Sequence, residues 1–461
     1  MLDAAARDHA YYVHPYTNLA THQNERPLVI TGGDGIFVID QDGKRYLEAM
    51  AGLWCASLGF SERRLADAAY RQMQTLPFYH SFGGKVPAIT LELSEALIRM
   101  APAPMGKALF ASSGSESNDT AVKLVWYLNN ANGRPLKKKI IARHKGYHGV
   151  TVASASLTGL PVSHADFDLP LPQMLHTDCP HHYRFGAAGE SEEAFAERLA
   201  NNLEAMILKE GPDTVAAFIA EPIQGAGGVI IPPATYFERI VPILKKYEML
   251  FVVDEVICGF GRTGHMFGSN LYGLRPDLMT VAKAISAGYQ PISALLMSEE
   301  VSDVLVRQST KLGAFGHGYT YSGHPVPAAV ALETLRIYEQ DRILEHVRAV
   351  GPLLQDGLRA LADHPLVGHV RGVGLIAAVE LVQDKATRAN FPATAGIGAA
   401  LQKFAQQDGL IVRVMAGDIV AFSPPLIITA AEVGDLVGRF GRALDATLAW
   451  ARERGLPIAA R

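Results

Sequence analysis

Apolar and polar positions change period along the chain, and the changes mark the elements. Residues 36–40 and 44–47 are short β-prone runs on either side of Gln41-Asp42-Gly43, and an Asp-Gly turn between such runs predicts a hairpin. Ahead of it, residues 1–24 read as a polar lead-in carrying Tyr11, Tyr12 and Tyr16. Residues 64–74 and 88–100 place apolar side chains at helical spacing. The texture then shifts to brief apolar runs at 107–111, 138–142, 215–220, 250–253, 278–282 and 292–297, which predict buried strands. Longer helical patterns at 116–128, 193–209 and 236–247 lie between them. Such alternation predicts an α/β fold with a mainly parallel sheet covered by helices on both faces. After about residue 338, helical segments (342–360, 394–407, 430–454) surround extended pieces at 374–381, 410–414 and 418–422, the texture of a smaller α+β domain.

Length and composition narrow this picture. The 461 residues suggest roughly three units at about 150 residues each. Lys+Arg 42 against Asp+Glu 46 gives a net charge of −4, without the basic footprint of a nucleic-acid binder or a polybasic membrane patch. With 49% hydrophobic and 19% charged residues, the chain has the means for a large core. Cys55, Cys179 and Cys258 are too scattered for a disulfide framework and suit a reducing compartment. An acid stands third in the chain, no signal-like apolar stretch follows, and no apolar run approaches membrane-spanning length. The expectation is a soluble, cytoplasmic protein.

Five places carry candidate chemistry. Asp254-Glu255 ends the apolar run 250–253, where an α/β sheet presents its carboxyl edge to ligands; a strand-end acid capping a turn fits the same residues. Lys283 follows another apolar run and precedes small residues, so desolvation would favour its neutral, nucleophilic amine; a lysine snorkelling from a strand end is the plainer reading. Ser112-Ser-Gly-Ser-Glu-Ser117 leads from a strand into a helix, a phosphate-ready N-terminus or an ordinary serine cap. In Arg143-His-Lys-Gly-Tyr-His-Gly149, His144 and His148 have the spacing of a metal pair, but Gly146 and Gly149 oppose the helix it would need. Cys179-Pro-His-His182 shows no second ligand cluster, so no metal is expected. Tyr147 is placed to stack on a flat ring. Finally, Gly259-Phe-Gly-Arg-Thr-Gly264 fits a dinucleotide fingerprint, with Asp277 18 residues on. Gly264, Gly268, Gly273 and Pro276 leave no room for the required helix, and Asp254 and Glu255 would repel a pyrophosphate.

A phosphate loop, an aromatic loop, a strand-end acid and then a lysine on the next strand form an ordered set. That set resembles the class III (omega-type) aminotransferases, pyridoxal-phosphate enzymes of fold type I. The matching text is Ser113-Gly-Ser-Glu-Ser117, Gly146-Tyr-His-Gly149, Glu221-Pro-Ile-Gln-Gly-Ala-Gly-Gly-Val229, Asp254 through Gly264, Lys283 and Gly318-Tyr-Thr-Tyr-Ser-Gly-His-Pro325. Met50-Ala-Gly-Leu-Trp-Cys55 and Leu76-Pro-Phe-Tyr79 are similar to pocket segments of the amine:pyruvate branch. Ala284, where that branch usually has glycine, and a stretch from Arg413 to Asp418 one residue longer depart from the pattern.

The resemblance implies pyridoxal 5'-phosphate bound as a Schiff base to Lys283, with Asp254 against the pyridine nitrogen. Gly114 and Ser115 would take the phosphate, joined by Thr320 from a neighbouring subunit. Tyr147 would cover one ring face and Val256 the other, with Glu221 supporting the hydroxyl side or Asp254. Tyr16, Trp54, Phe82, Tyr147 and Ala226 would line the substrate side, and Arg413 would pair with an acceptor carboxylate and swing away for an amine. The implied reaction is ping-pong transfer of an amino group from an amine, a diamine, an ω-amino acid or a long-chain amine to a keto acid, pyruvate first. A decarboxylase, aminomutase or epimerase uses the same lysine and aspartate, and a cofactor-binding protein without turnover would carry them too. The implied architecture is a large cofactor domain (63–337) and a small domain built from 1–62 and 338–461, working as a homodimer or dimer of dimers.

Overall fold

The protein is described from a computed structural model covering residues 3–458. The first two residues of the lead-in and the last three of the C-terminal segment lie outside the described residues. At the centre is a seven-stranded sheet: β1 (Lys107–Ala111), β2 (Lys139–Arg143), β3 (Met174–Thr177), β4 (Val215–Ala220), β5 (Leu250–Asp254), β6 (Leu278–Val281) and β7 (Ser293–Met297). Their spatial order is β1-β7-β6-β5-β4-β2-β3. β7 runs antiparallel to both neighbours, while β6, β5, β4, β2 and β3 pair in parallel.

The near-continuous apolar runs are explained by burial on both faces. Along β5, Val252 packs with the helix Gly114–Ala131, whereas Phe251 and Val253 face the helices Glu192–Glu210 and Tyr236–Lys246. Along β4, Ile219 and Phe218 divide in the same way. β3 was not predicted; it is a short edge strand without a sustained apolar run.

The predicted hairpin forms between Phe37–Asp40 and Arg45–Glu48, with Gly43 at φ +81° in the turn. Its sheet is completed across the sequence, since Leu410–Ile411 pairs in parallel with Arg45–Glu48. The single extended run expected at 410–414 is therefore two strands. Leu410 is buried beside Leu47, whereas Arg413–Met415 joins a separate antiparallel sheet with Ile419–Phe422, Ile376–Leu381 and Val367–Val373. The lead-in also differs from expectation. It contains the helices Ala4–Tyr11 and Leu19–His22, capped by Asp3 and Asn18, with no fully buried residue to betray them as a hydrophobic stripe. No helix among the described residues is long and apolar enough to cross a membrane.

Candidate active site

Parallel strands deliver their carboxyl ends to one edge, and the candidate residues collect there. β5 ends in Asp254, β4 is followed by Glu221, β2 leads into Tyr147, and β6 leads into Lys283. A cavity of about 370 Å³ opens at this edge, lined by Gly114, Ser115, Tyr147, Glu221, Asp254, Val256 and Lys283 among others.

Its phosphate end is a helix N-terminus. Ser113 caps the 18-residue helix Gly114–Ala131, and Glu116 reaches back to the Ser113 N–H, completing a capping box. Those side chains occupy the cap, while the Gly114 and Ser115 N–H groups lie in the first helical turn, whose dipole favours an anion. Gly114 leaves little space for a side chain: a Cβ there would stand 3.0 Å from Val256 Cγ2, which would have to yield. Gly149 is required by both space and conformation, with φ +138° and a would-be Cβ 2.4 Å from Ser154 Oγ and 2.5 Å from Ser115 Oγ.

Asp254 is buried and held by three contacts that leave acceptor capacity on Oδ1. Its Oδ2 accepts from Asn118 Nδ2 at 2.8 Å and contacts His148 Nδ1 at 2.9 Å, and its Oδ1 accepts from the Val256 N–H at 3.0 Å. Asn118 also donates to the His148 carbonyl at 2.7 Å, tying helix, loop and strand together. Neither Asn118 nor His148 was recognised as part of the site. His148 was weighed only with His144, which instead lies alongside His176. Glu221 accepts from the Tyr147 N–H at 3.0 Å and the Gly225 N–H at 2.8 Å, and so fixes the Tyr147 loop. Burial raises its pKa.

Lys283 stands in the left-handed region at φ +54°, a strained conformation that turns the chain directly after β6. Burial lowers its pKa; Cys55, Asp254 and Glu221 pull it back up, and Arg413 pushes it further down. Glu255, the other acid of the pair, faces away from this chemistry. It accepts from the Gly268 and Ser269 N–H groups and the Ser269 hydroxyl, and burial raises its pKa to about 7.

The substrate side gathers in part. Arg413 lies 5.2 Å over the Trp54 ring and makes no ion pair with a carboxylate among the described residues. Burial lowers its pKa, while Tyr147 and Tyr16 raise it, which places all three in one electrostatic neighbourhood. Burial first, and then Tyr16 through its charge and a hydrogen bond, raises the Tyr147 pKa. Ala226 packs on the apolar cluster that contains Met50, Trp54, Val229 and Ile257. The buried Trp54 Nε1 has no hydrogen-bond partner among the described residues. A second, apolar cavity of about 350 Å³ lies beside Tyr16, walled by Val150, Val152, Ala155, Val162, Phe167 and Leu169.

Phe82 and Thr320 do not line the cavity of their own chain. Both are exposed, on a surface shared with Phe78, Tyr79 and Tyr321. Phe82 packs beside Gly318, and Ser81 Oγ donates to the Ser322 carbonyl at 3.0 Å. The glycine-rich stretch 259–264 is a turn that carries buried Arg262, whose Nη1 donates to the carbonyls of Leu375 and Pro424. It therefore clamps the C-terminal sheet to the central one.

Between Lys283 and Asp254 the donor set calls for an electron-accepting ring with a basic nitrogen at one end and a phosphate tail at the helix N-terminus. Pyridoxal 5'-phosphate fits that set, and the class so defined is the fold type I pyridoxal-phosphate enzymes. Comparison with known proteins gives the family. The Aminotransferase class-III model matches residues 19–444, and the chain belongs to that family. Gamma-aminobutyrate transaminase 1, mitochondrial, of Oryza sativa subsp. indica is 55% identical over 434 residues, covering 94% of this chain and 84% of the relative. Gamma aminobutyrate transaminase 3, chloroplastic, of Solanum lycopersicum is 56% identical over 422 residues, covering 91% and 81%. A thermostable omega transaminase variant engineered for asymmetric synthesis of enantiopure bulky amines superposes with a TM-score of 0.96 at 57% identity, covering 97% of this chain and 100% of that one. The omega transaminase from Pseudomonas jessenii in complex with PMP gives 0.96 at 56% identity, covering 97% and 99%. The protein is a pyridoxal-phosphate-dependent aminotransferase, and its relatives favour amino transfer over the decarboxylase, aminomutase or epimerase alternatives.

Proposed function

We propose that the enzyme moves an amino group from an ω-amino acid or a simple amine, of which γ-aminobutyrate is the first to test, to pyruvate, forming alanine. The observation that carries this reading is Arg413, a partly buried guanidinium with no carboxylate partner among the described residues, stacked near Trp54 beside Tyr147. A planar, bidentate donor in that position suits a substrate carboxylate. The apolar walls of Trp54 and the cavity beside Tyr16 suit the body of an amine that lacks an α-carboxylate.

When bound, pyridoxal 5'-phosphate supplies an electrophilic carbonyl and a ring that accepts the electrons released at the substrate carbon. The chain's own residues do the rest. Asp254, held by donors from Asn118 and the Val256 N–H and set beside His148, would keep a proton at the pyridine nitrogen. Gly114 and Ser115 orient the phosphate, while Tyr147 and Val256 confine the ring. Lys283, its amine desolvated toward the neutral form, would hold the cofactor through Nζ and, when free, would carry the substrate proton. Arg413 pairs with the keto-acid carboxylate and turns aside for an amine.

Thr320 and Phe82 act, in this reading, on the cavity of a partner copy; their exposure beside an aromatic surface supports a homodimer. The cofactor domain is residues 63–337, and 1–62 with 338–461 form the small domain, a division supported by the sheet that 45–48 and 410–411 share. Unpaired Cys55, Cys179 and Cys258 suit a reducing location such as the cytoplasm. The test is stoichiometry. An amine should bleach the cofactor absorbance, and pyruvate should restore it with one alanine formed per site. Carbon dioxide release, or recovery without alanine, would overturn the proposal.

A further inference from the structure

We propose that Asp8, His14 and His22 form a binding site for a divalent transition-metal cation of the zinc class, which clasps the N-terminal segment and holds Tyr16 over the substrate cavity. His14 Nε2 and His22 Nε2 each lie 2.6 Å from a different oxygen of the one Asp8 carboxylate. All three candidate ligand atoms fall within 4.8 Å of one another. The imidazole centroids are 4.4 Å apart. Two imidazole nitrogens and a carboxylate oxygen are a common zinc donor set, needing ligand bonds of about 2.0–2.2 Å and leaving a fourth position for water. Small rotations of side chains that already converge are enough to reach that geometry. The rings would ligate through their Nε2 lone pairs, with the proton on Nδ1.

The site is partly shielded, the three side chains being 29%, 14% and 13% exposed for His14, Asp8 and His22. Its surroundings brace the rings. His9 meets His22 edge-on at 5.3 Å and is itself held by the Glu25 carbonyl, and Tyr12 packs on His14. A second cluster, His181, His369 and Glu380, shows what a cation site lacks when it is already filled by protein charge. There Arg371 and Arg184 occupy Glu380, and Arg371 also points at His369 Nδ1. Among the described residues no guanidinium pairs with Asp8.

The position of the cluster gives it a consequence. Asp8 lies inside the helix Ala4–Tyr11, His22 ends the helix Leu19–His22, and Tyr16 lies between them with His14 two residues before it. Tyr16 has φ +51°, a left-handed strain on a bulky residue, and it stands close enough to Tyr147 to help raise that residue's pKa. A metal cross-link from Asp8 to His14 and His22 would hold that strained turn against the cavity mouth. Tyr16's part in substrate binding rests on the proposed function, whereas metal binding itself is measured without turnover.

The experiment is equilibrium dialysis of tag-free holoenzyme against Zn2+, followed by metal analysis, with amide exchange of residues 12–22 measured with and without the ion. One zinc per chain is expected, with exchange slowed on loading. His14→Ala and His22→Ala should each weaken binding by roughly tenfold or more, and Asp8→Asn likewise, whereas His369→Ala should leave it unchanged. Visible absorption of the Co2+-loaded unmodified holoenzyme, of the intensity expected for four-coordinate cobalt, keeps the test independent of how the variants fold. Failure to retain zinc, retention undiminished in folded variants, or zinc bound without slower exchange of 12–22 would overturn the proposal.

Discussion

Arg413→Ala isolates the residue on which the choice of substrate rests. The guanidinium packs on Trp54 at 5.2 Å and no protein carboxylate competes for it among the described residues, so its pairing capacity is free for substrate. A charge-assisted hydrogen-bonded contact contributes about 1.5–3 kcal/mol. At about 1.4 kcal/mol per factor of ten, losing it lowers kcat/KM for pyruvate about 10- to 100-fold. The lost cation–π contact costs the fold only about 0.5–1 kcal/mol, so the variant should remain folded and cofactor-loaded. Rapid mixing separates the half-reactions through cofactor absorbance. The pyruvate half-reaction should slow by the stated factor, and so should the γ-aminobutyrate half-reaction, because that donor carries a carboxylate. The half-reaction with benzylamine, which has none, should be unchanged. Equal losses with pyruvate and benzylamine, or no loss with pyruvate, would refute the reasoning.

Three further outcomes follow from the same geometry. Asp254→Asn replaces the charge that holds a proton at the ring nitrogen, and turnover should fall about 100-fold or more while cofactor phosphate stays bound; near-normal turnover would contradict the role. Gly149→Ala forces a Cβ to within 2.4 Å of Ser154 Oγ at φ +138°, so it should destabilise the fold by about 2–4 kcal/mol and loosen the cofactor, read as a lower Tm and faster cofactor loss on dialysis. The Glu255 pKa is raised to about 7, so between about pH 4.5 and 7 the folded state keeps a proton that the unfolded state releases. Stability should therefore fall by on the order of 3 kcal/mol as pH rises through that window, then level off above it, and Glu255→Gln should flatten that part of the curve in denaturant titrations.

The central sheet was legible because its strands are buried on both faces and leave unbroken apolar runs, as 250–253 does before Asp254. Lys283 and Asp254 were legible for a related reason, since each closes such a run at the sheet's carboxyl edge. Asn118 and His148 were not, because they meet Asp254 across sequence separations of 136 and 106 residues that no local pattern encodes. The helix Ala4–Tyr11 is hidden because it buries no full stripe, and the Asp8–His14–His22 cluster because its side chains come from two short helices and the turn between them. The split of 410–414 was hidden in a run whose first residues answer to Leu47 and whose last answer to Ala421. Phe82 and Thr320 mark a further limit, since one chain places both of them outside its own cavity.

The most direct test of the site is to reduce the resting holoenzyme with borohydride, digest it and map the phosphopyridoxyl group by mass spectrometry. The account predicts the label on Lys283 alone, at one per chain, and its disappearance in Lys283→Ala together with turnover. A label on any other lysine, or ping-pong turnover surviving in Lys283→Ala, would contradict it.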